Sequence, residues 1–155
     1  MSAMGKKKKI LAISSPGGHW IQLNKICNEM EERFDVVYAT AGTQYGSQKN
    51  HRKIHNIMDA SADSKLKLIP LALQLLLIMA RERPSAIIST GAAPGAIAVL
   101  IAKFLPIKTI WVDSIANVAK LSRSGDMVKS HANLVITQWE PLSDGKKIRY
   151  QGSVL

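Results

Sequence analysis

The feature that most constrains this chain is a repeated switch of hydrophobic period. Short contiguous apolar runs end in small-residue loops and give way to helical spacing. Lys8 to Ser14 carries Ile10, Leu11, Ala12 and Ile13 without alternation, the pattern of a central parallel strand covered on both faces. Ser15, Pro16, Gly17 and Gly18 then make a tight loop. From His19 to about Arg33 the residues Ile21, Leu23, Ile26, Cys27 and Met30 fall at mostly helical spacing. Phe34 to Thr40 reads as a second strand, so the first 40 residues are strand, glycine loop, helix, strand.

The same alternation continues. Ala41 to Ser64 is polar, and a loop with a short helix near Lys49 to Met58 is expected there. Leu66 to Arg83 is a strongly apolar helix stopped by Pro84, which disfavours helical geometry at the residue before it. Ala86 to Thr90 is a third strand, Gly91 to Ala93 a second small-residue loop, and Pro94 stands where a first helical residue would. A helix over Gly95 to Leu105 follows, then a strand over Ile107 to Val112. An irregular segment, a helix over Gly125 to Ala132, a strand over Leu134 to Gln138 and a short strand over Ile148 to Tyr150 complete the order. Strands alternating with helices imply an α/β fold: a Rossmann-like domain over residues 8–155 with a parallel sheet and helices on both faces, behind a basic, flexible stretch at 1–7. With 155 residues the chain can bury a core without disulfides, and the lone Cys27 fits a reducing compartment.

Charge narrows the partners. The formal net charge of +10, from 21 basic and 11 acidic residues, favours an anionic partner: nucleic acid, a phosphorylated substrate or an acidic membrane surface. Zinc-finger spacing, an RNP-like aromatic run and a helix-turn-helix signature are all missing, which argues against nucleic acid. The longest apolar stretch, Leu68 to Ala80, is shorter than the roughly 20 residues a spanning helix needs, and no secretory signal is visible.

In parallel sheets ligands bind beyond the carboxyl ends of the strands, which directs attention to the loops there. Gly17 and Gly18 let backbone N–H groups approach an oxygen-rich ligand at a helix N-terminus, or merely make a tight turn. His19 is a candidate general base, or a helix-end histidine bonding locally. Thr90, Gly91 and Gly95 repeat the arrangement one unit later, as a second anion or sugar contact or as close helix–sheet packing. Asp113 and Ser114 end the fourth strand, where they suit sugar hydroxyls or a helix cap. His51, His55 and Asp59 share a helical spacing of four, yet an exposed polar face explains them better than a metal site. The Leu66 to Arg83 helix, with Lys65, Lys67, Arg81 and Arg83 at its ends, suits either the membrane interface or a buried core position. Lys6 to Lys9 can contact anionic lipid or simply be solvated.

Four segments occur in order at family-like spacing: Ser15-Pro16-Gly17-Gly18-His19, Ser89-Thr90-Gly91-Ala92-Ala93-Pro94-Gly95, Trp111-Val112-Asp113-Ser114 and Val135-Ile136-Thr137-Gln138-Trp139-Glu140-Pro141. The ending Arg149 to Leu155 agrees with them. Together they resemble the membrane-anchor subunit of the eukaryotic UDP-GlcNAc transferase of lipid-linked oligosaccharide synthesis, and more closely its bacterial relatives in capsule and exopolysaccharide synthesis. In that family a GT-B glycosyltransferase is divided between two chains. The resemblance implies the N-terminal, acceptor-binding half, which works only with a donor-binding partner subunit. It implies inverting, metal-independent transfer from a UDP-sugar to a polyprenyl-diphosphate-linked acceptor, with no cofactor. It assigns His19 to the hydroxyl, Ser15, Gly17 and Gly18 to the acceptor near its diphosphate, and Asp113 to the acceptor sugar. Gln138, Trp139, Glu140, Pro141, Tyr150 and Gly152 would meet the partner. The implied location is the cytoplasmic face of the cell membrane, held peripherally. Two other readings stay open: a Rossmann module that binds a nucleotide or phosphorylated metabolite without chemistry, and a pure anchor subunit.

Overall fold

A computed structural model describes residues 5–42, 52–61 and 63–154. Seven strands form one parallel sheet: β1 Lys9–Ser14, β2 Asp35–Thr40, β3 Lys53–Asn56, β4 Ala86–Gly91, β5 Lys108–Val112, β6 Leu134–Thr137 and β7 Ile148–Tyr150. Their spatial order is β3-β2-β1-β4-β5-β6-β7. Each pairing is parallel, so the described helices start at the carboxyl edge. The order reverses between β1 and β4, which opens a crevice at their carboxyl ends.

Helices α1 Gly18–Met30, α2 Lys65–Glu82, α3 Ala92–Ala102 and α4 Arg123–Val128 cover the sheet. The contiguous apolar strands serve two cores at once. Leu11, Ile13, Val37, Ala39 and Ile87 pack against α2 and α3. Their chain neighbours Ile10, Ala12, Val36, Tyr38 and Ile88 pack against Trp20, Leu23 and Cys27 of α1 on the opposite face. A third cluster joins α3 and α4 over Trp111 and Val135. Successive strand residues point to opposite faces, so a strand buried on both needs the unbroken apolar run that β1 shows.

Four sequence expectations are corrected. The short helix near Lys49 to Met58 is instead edge strand β3, because Val37 to Thr40 offers an open ladder that Lys53 to Asn56 can join; residues 43–51 lie outside the described ones. His55 therefore does not share a helical face with His51 and Asp59; it stands on a strand and bonds Glu82. The expected loop over Gly91 to Ala93 does not form: β4 runs straight into α3, which begins at Ala92, and Pro94 is its third residue. The helix expected over Gly125 to Ala132 is displaced toward the N-terminus, since Ser122 caps it by accepting from the Gly125 N–H at 2.9 Å.

Helix α2 ends at Arg83, whose left-handed conformation (φ 48°) precedes Pro84. Its last residue, Glu82, is a buried carboxylate that ties three elements together. It accepts from Lys9 of β1 at 2.9 Å, from His55 of β3 at 2.8 Å, and from Lys53. Burial alone would raise the pKa of this carboxyl, but the Lys53, Lys9 and His55 hydrogen bonds win and hold it at about 2, below the ordinary 4.5. The folded-state value lies below the unfolded one. The contribution to stability is therefore complete above about pH 4.5 and is lost as the pH falls through about 2. Glu82→Gln should lower the unfolding free energy at pH 7 by roughly 3 kcal/mol, because Lys9 and Lys53 lose the buried counter-charge they share. Urea unfolding of both proteins across acid pH checks this, and the gap between them should close as the pH falls below 4.

Candidate functional site

The crevice at the β1/β4 reversal is built by two loops that hold each other. Pairing between β1 and β4 slips at its end: Ile13 pairs with Ser89 but Ser14 with Gly91, so Thr90 is passed over. Thr90 is thereby freed to face α1. Its carbonyl lies 3.0 Å from His19 Nδ1, and its hydroxyl donates to the His19 carbonyl at 2.6 Å. A carbonyl can only accept, so Nδ1 carries the hydrogen, and neutral His19 presents its lone pair at Nε2. Nε2 has no partner among the described residues, and the ring is half-buried.

Gly91 makes this contact possible. A Cβ there would sit 2.5 Å from His19 Nδ1, and the backbone φ of +144° is a glycine conformation. Ala92 follows at φ +62°, a left-handed state that costs a non-glycine residue roughly 1 kcal/mol or more. Strain gathers at the junction where strand turns directly into helix. Gly95, one turn on, is buried, and a Cβ would collide with Ser89 Oγ and stand 3.2 Å from Trp111. It serves helix–sheet packing, whereas Thr90 and Gly91 meet His19.

On the other side, Gly17 and Gly18 are exposed, and a Cβ on either would meet nothing within 4 Å. Gly17 takes φ +83° at the N-cap of α1, and the first turn carries no acidic residue. The partial positive charge of the N-terminus of this thirteen-residue helix lies beside His19. Ser15 is half-buried at this loop. Ser14 Oγ, fully buried below it, has no partner among the described residues.

Asp113 has its carboxylate committed to the chain itself. Oδ1 accepts from Trp111 Nε1 at 3.0 Å and Ser122 Oγ at 2.5 Å; Oδ2 accepts from the Ser122 N–H at 2.8 Å and Asn117 Nδ2 at 3.2 Å. It pins the loop from 114 to 122. A Cβ at Gly125 would come 2.5 Å from Asp113 Oδ1, so that glycine keeps the space clear. Ser114 Oγ closes a local turn with the Ala116 N–H at 3.2 Å and accepts from Gln22 Nε2 at 3.4 Å.

Of the residues expected to meet a partner, Gln138 is buried. Its Nε2 donates to Gln22 Oε1 at 2.9 Å and to the Asp113 carbonyl at 3.0 Å, while its Oε1 accepts from the Val154 N–H at 2.8 Å. It ties α1, the end of β5 and the C-terminal tail together. Trp139 is half-buried and donates to the Ile115 carbonyl at 2.7 Å; Glu140, Pro141 and Tyr150 are exposed, and Gly152 turns the tail at φ +96°. Sequence reading overlooked Gln22, Ser122 and Gly125. Only Ser122, a residue type favoured at helix N-caps, left a local signal. Cys27 offers no thiol chemistry near neutral pH, since burial pushes it up to about 12 against the Arg52 charge.

No protein-family model and no curated protein matches this sequence. Solved structures do match its fold. MurG of Acinetobacter baumannii superposes with a TM-score of 0.79 at 13% identity, over 96% of this chain and 47% of that one. A UDP-N-acetylglucosamine 2-epimerase from Rickettsia bellii gives 0.70 at 14%, over 95% and 45%, and a glycosyltransferase from Rickettsia africae gives 0.68 at 12%, over 96% and 44%. The chain thus spans less than half the length of each of these. At such identities the likeness is one of fold: a single α/β domain equivalent to one Rossmann-like half of the two-domain GT-B architecture.

Gly91→Ala should unseat the His19 ring and destabilise the domain by roughly 1–3 kcal/mol. Urea unfolding reads the second effect. Ring ¹⁵N NMR reads the first, as loss of the Nδ1–H tautomer, whereas Gly18→Ala, with open space around it, should leave both unchanged.

Proposed function

We propose that this chain is the acceptor-side half of a two-chain inverting glycosyltransferase. It would act in capsule or exopolysaccharide synthesis, moving a sugar from a UDP-sugar to a polyprenyl-diphosphate-linked acceptor at the inner face of the cell membrane. The observation that carries the reading is His19, the second residue of α1, held through Nδ1 by Thr90, with no partner for Nε2 among the described residues. The GT-B-like fold, the crevice at the strand-order reversal and the net charge of +10 agree with it.

In the reaction, the acceptor diphosphate lies at Gly17 and Gly18, with Ser15 beside it, where backbone N–H groups and the helix dipole meet its charge. The attacking sugar hydroxyl gives its proton to His19 Nε2 as its oxygen bonds the anomeric carbon of the donor. The bond from that carbon to the UDP oxygen breaks, and UDP leaves with the electron pair. Attack opposite the leaving group inverts the anomeric centre. The Thr90 carbonyl orients the imidazole and favours the imidazolium that forms. Asp113 acts through the 114–122 loop that it pins, and Ser114 is the loop's hydroxyl nearest α1 through Gln22. The donor-binding partner docks on Trp139, Glu140, Pro141 and Tyr150, with Gln138 and Gly152 setting the tail behind them.

Transfer should require both chains. With membranes carrying a lipid-diphosphate acceptor and a panel of UDP-sugars, this chain alone and the partner alone should be inactive and the mixture active. His19→Ala in the mixture should lower kcat by about 10²–10⁴-fold. Full activity from the partner alone would reduce this chain to an anchor, and inactivity of every mixture combined with tight binding of a soluble nucleotide would make it a binding module.

A further inference from the structure

Helix α2 is apolar on two sides, and the fold uses only one. Leu71, Leu75, Ile78 and Met79 enter the core. Leu66, Ile69, Leu73 and Leu77 form a second stripe that faces solvent; Leu66 is 89% exposed, Ile69 68% and Leu77 70%. Across from it on α3 and its end stand Leu100, Ile101 and Phe104, the last 85% exposed. Between the two helices, Leu76, Met79, Leu105 and Ile107 floor an apolar groove of about 440 Å³ that reaches Arg83. A continuous exposed aliphatic surface of this kind marks a docking face.

Its charges identify what docks. From residue 65 to 108 the chain carries six basic residues, Lys65, Lys67, Arg81, Arg83, Lys103 and Lys108, all exposed. The single acidic residue there, Glu82, is buried and paired. The nearest exposed carboxylates in sequence, Asp59 and Asp63, precede the helix. Lys6 to Lys8 stand at the far end beside Arg81 and Arg83, around a second pocket in which these cations outnumber its one exposed carboxylate, Asp35. A second copy of this chain would bring the same positive rim against itself. A protein interface core is typically anchored by Tyr, Trp or Arg, whereas this stripe is Leu and Ile with one Phe. An anionic lipid surface satisfies both parts: acyl chains for the stripe and phosphates for the rim.

We propose that the α2–α3 face is the bilayer-docking surface, with α2 lying in the plane of an anionic phospholipid membrane. Leu66, Ile69, Leu73, Leu77 and Phe104 enter the acyl region, and Lys65, Lys67, Arg81, Arg83 and Lys103 meet headgroup phosphates. Helix α2 begins at the carboxyl edge of the sheet, the same edge that carries Gly17, Gly18 and His19, with α1 on the opposite face. The proposal deepens the glycosyltransferase reading by naming its membrane face, but lipid binding requires neither donor nor acceptor and can be tested apart from it.

The full chain should sediment with vesicles of phosphatidylcholine mixed with phosphatidylglycerol. It should bind less to phosphatidylcholine alone and less in high salt. Leu66→Ser, Leu73→Ser and Leu77→Ser combined should weaken binding at least about tenfold, and Lys65→Glu with Arg81→Glu and Lys103→Glu should do the same by removing roughly fivefold or more per charge. These side chains are exposed, so thermal unfolding of both variants should match the wild type. Ile21→Ser, on the opposite face of the sheet, should bind normally. Unchanged vesicle binding by both combined variants would overturn the proposal. So would a wild-type dimer that forms without lipid and dissociates in the leucine variant.

Discussion

The paired contacts between His19 and Thr90 are the constraint on which the carboxyl edge depends. Each residue gives its backbone carbonyl to the other's side chain, so neither loop can shift without breaking both bonds. Three local departures from regular structure make the pair possible: the slipped register at Ser14, glycine geometry at Gly91 and the left-handed Ala92. Each costs free energy in isolation. They persist because β1 and β4 are central strands packed on both faces, which leaves the junction no room to relax.

Around this junction the loops are held by polar side chains that turn inward. Asp113 gathers Trp111, Asn117 and Ser122, and Gln138 gathers Gln22, the Asp113 carbonyl and the tail. Buried groups of this kind must be satisfied, and once satisfied they select one loop arrangement. The crevice is therefore shaped before any ligand arrives. The tail at Val154 is linked through Gln138 to Gln22, one turn beyond His19 on α1. A partner that moved the tail would act on α1 through that single amide.

The opposite edge of the sheet has a different economy. Glu82 draws Lys9, Lys53 and His55 onto the end of α2 and so closes edge strand β3 against the core. With its one carboxylate spent internally, the outer face of α2 and α3 is left purely apolar and basic. Stability and surface character here are consequences of the same ion cluster.

The hydrophobic period alone determined the α/β class, the alternation of six of the strands with helical segments, and the position of the Ser15–Gly18 loop between β1 and α1. Those features depend on contiguous runs such as Ile10 to Ile13 and on residues whose backbone preferences act locally, such as Gly17. The tertiary structure decided what the period does not carry. Lys53 to Asn56 is a strand because β2 had an open edge, not because of its own propensity. Gly95 packs and Gly91 yields to a ring, although both stand in one small-residue segment, because only the facing residues, Trp111 and His19, distinguish them. Asp113 and Gln138 look like ligand- and partner-facing residues in sequence and turn inward in space, since their partners lie as far away as Gln22. For α2 the sequence left core and membrane interface open; packing buries one apolar side and exposes the other. Local chemistry specifies elements, and long-range contacts specify which side of each element is left to meet something else.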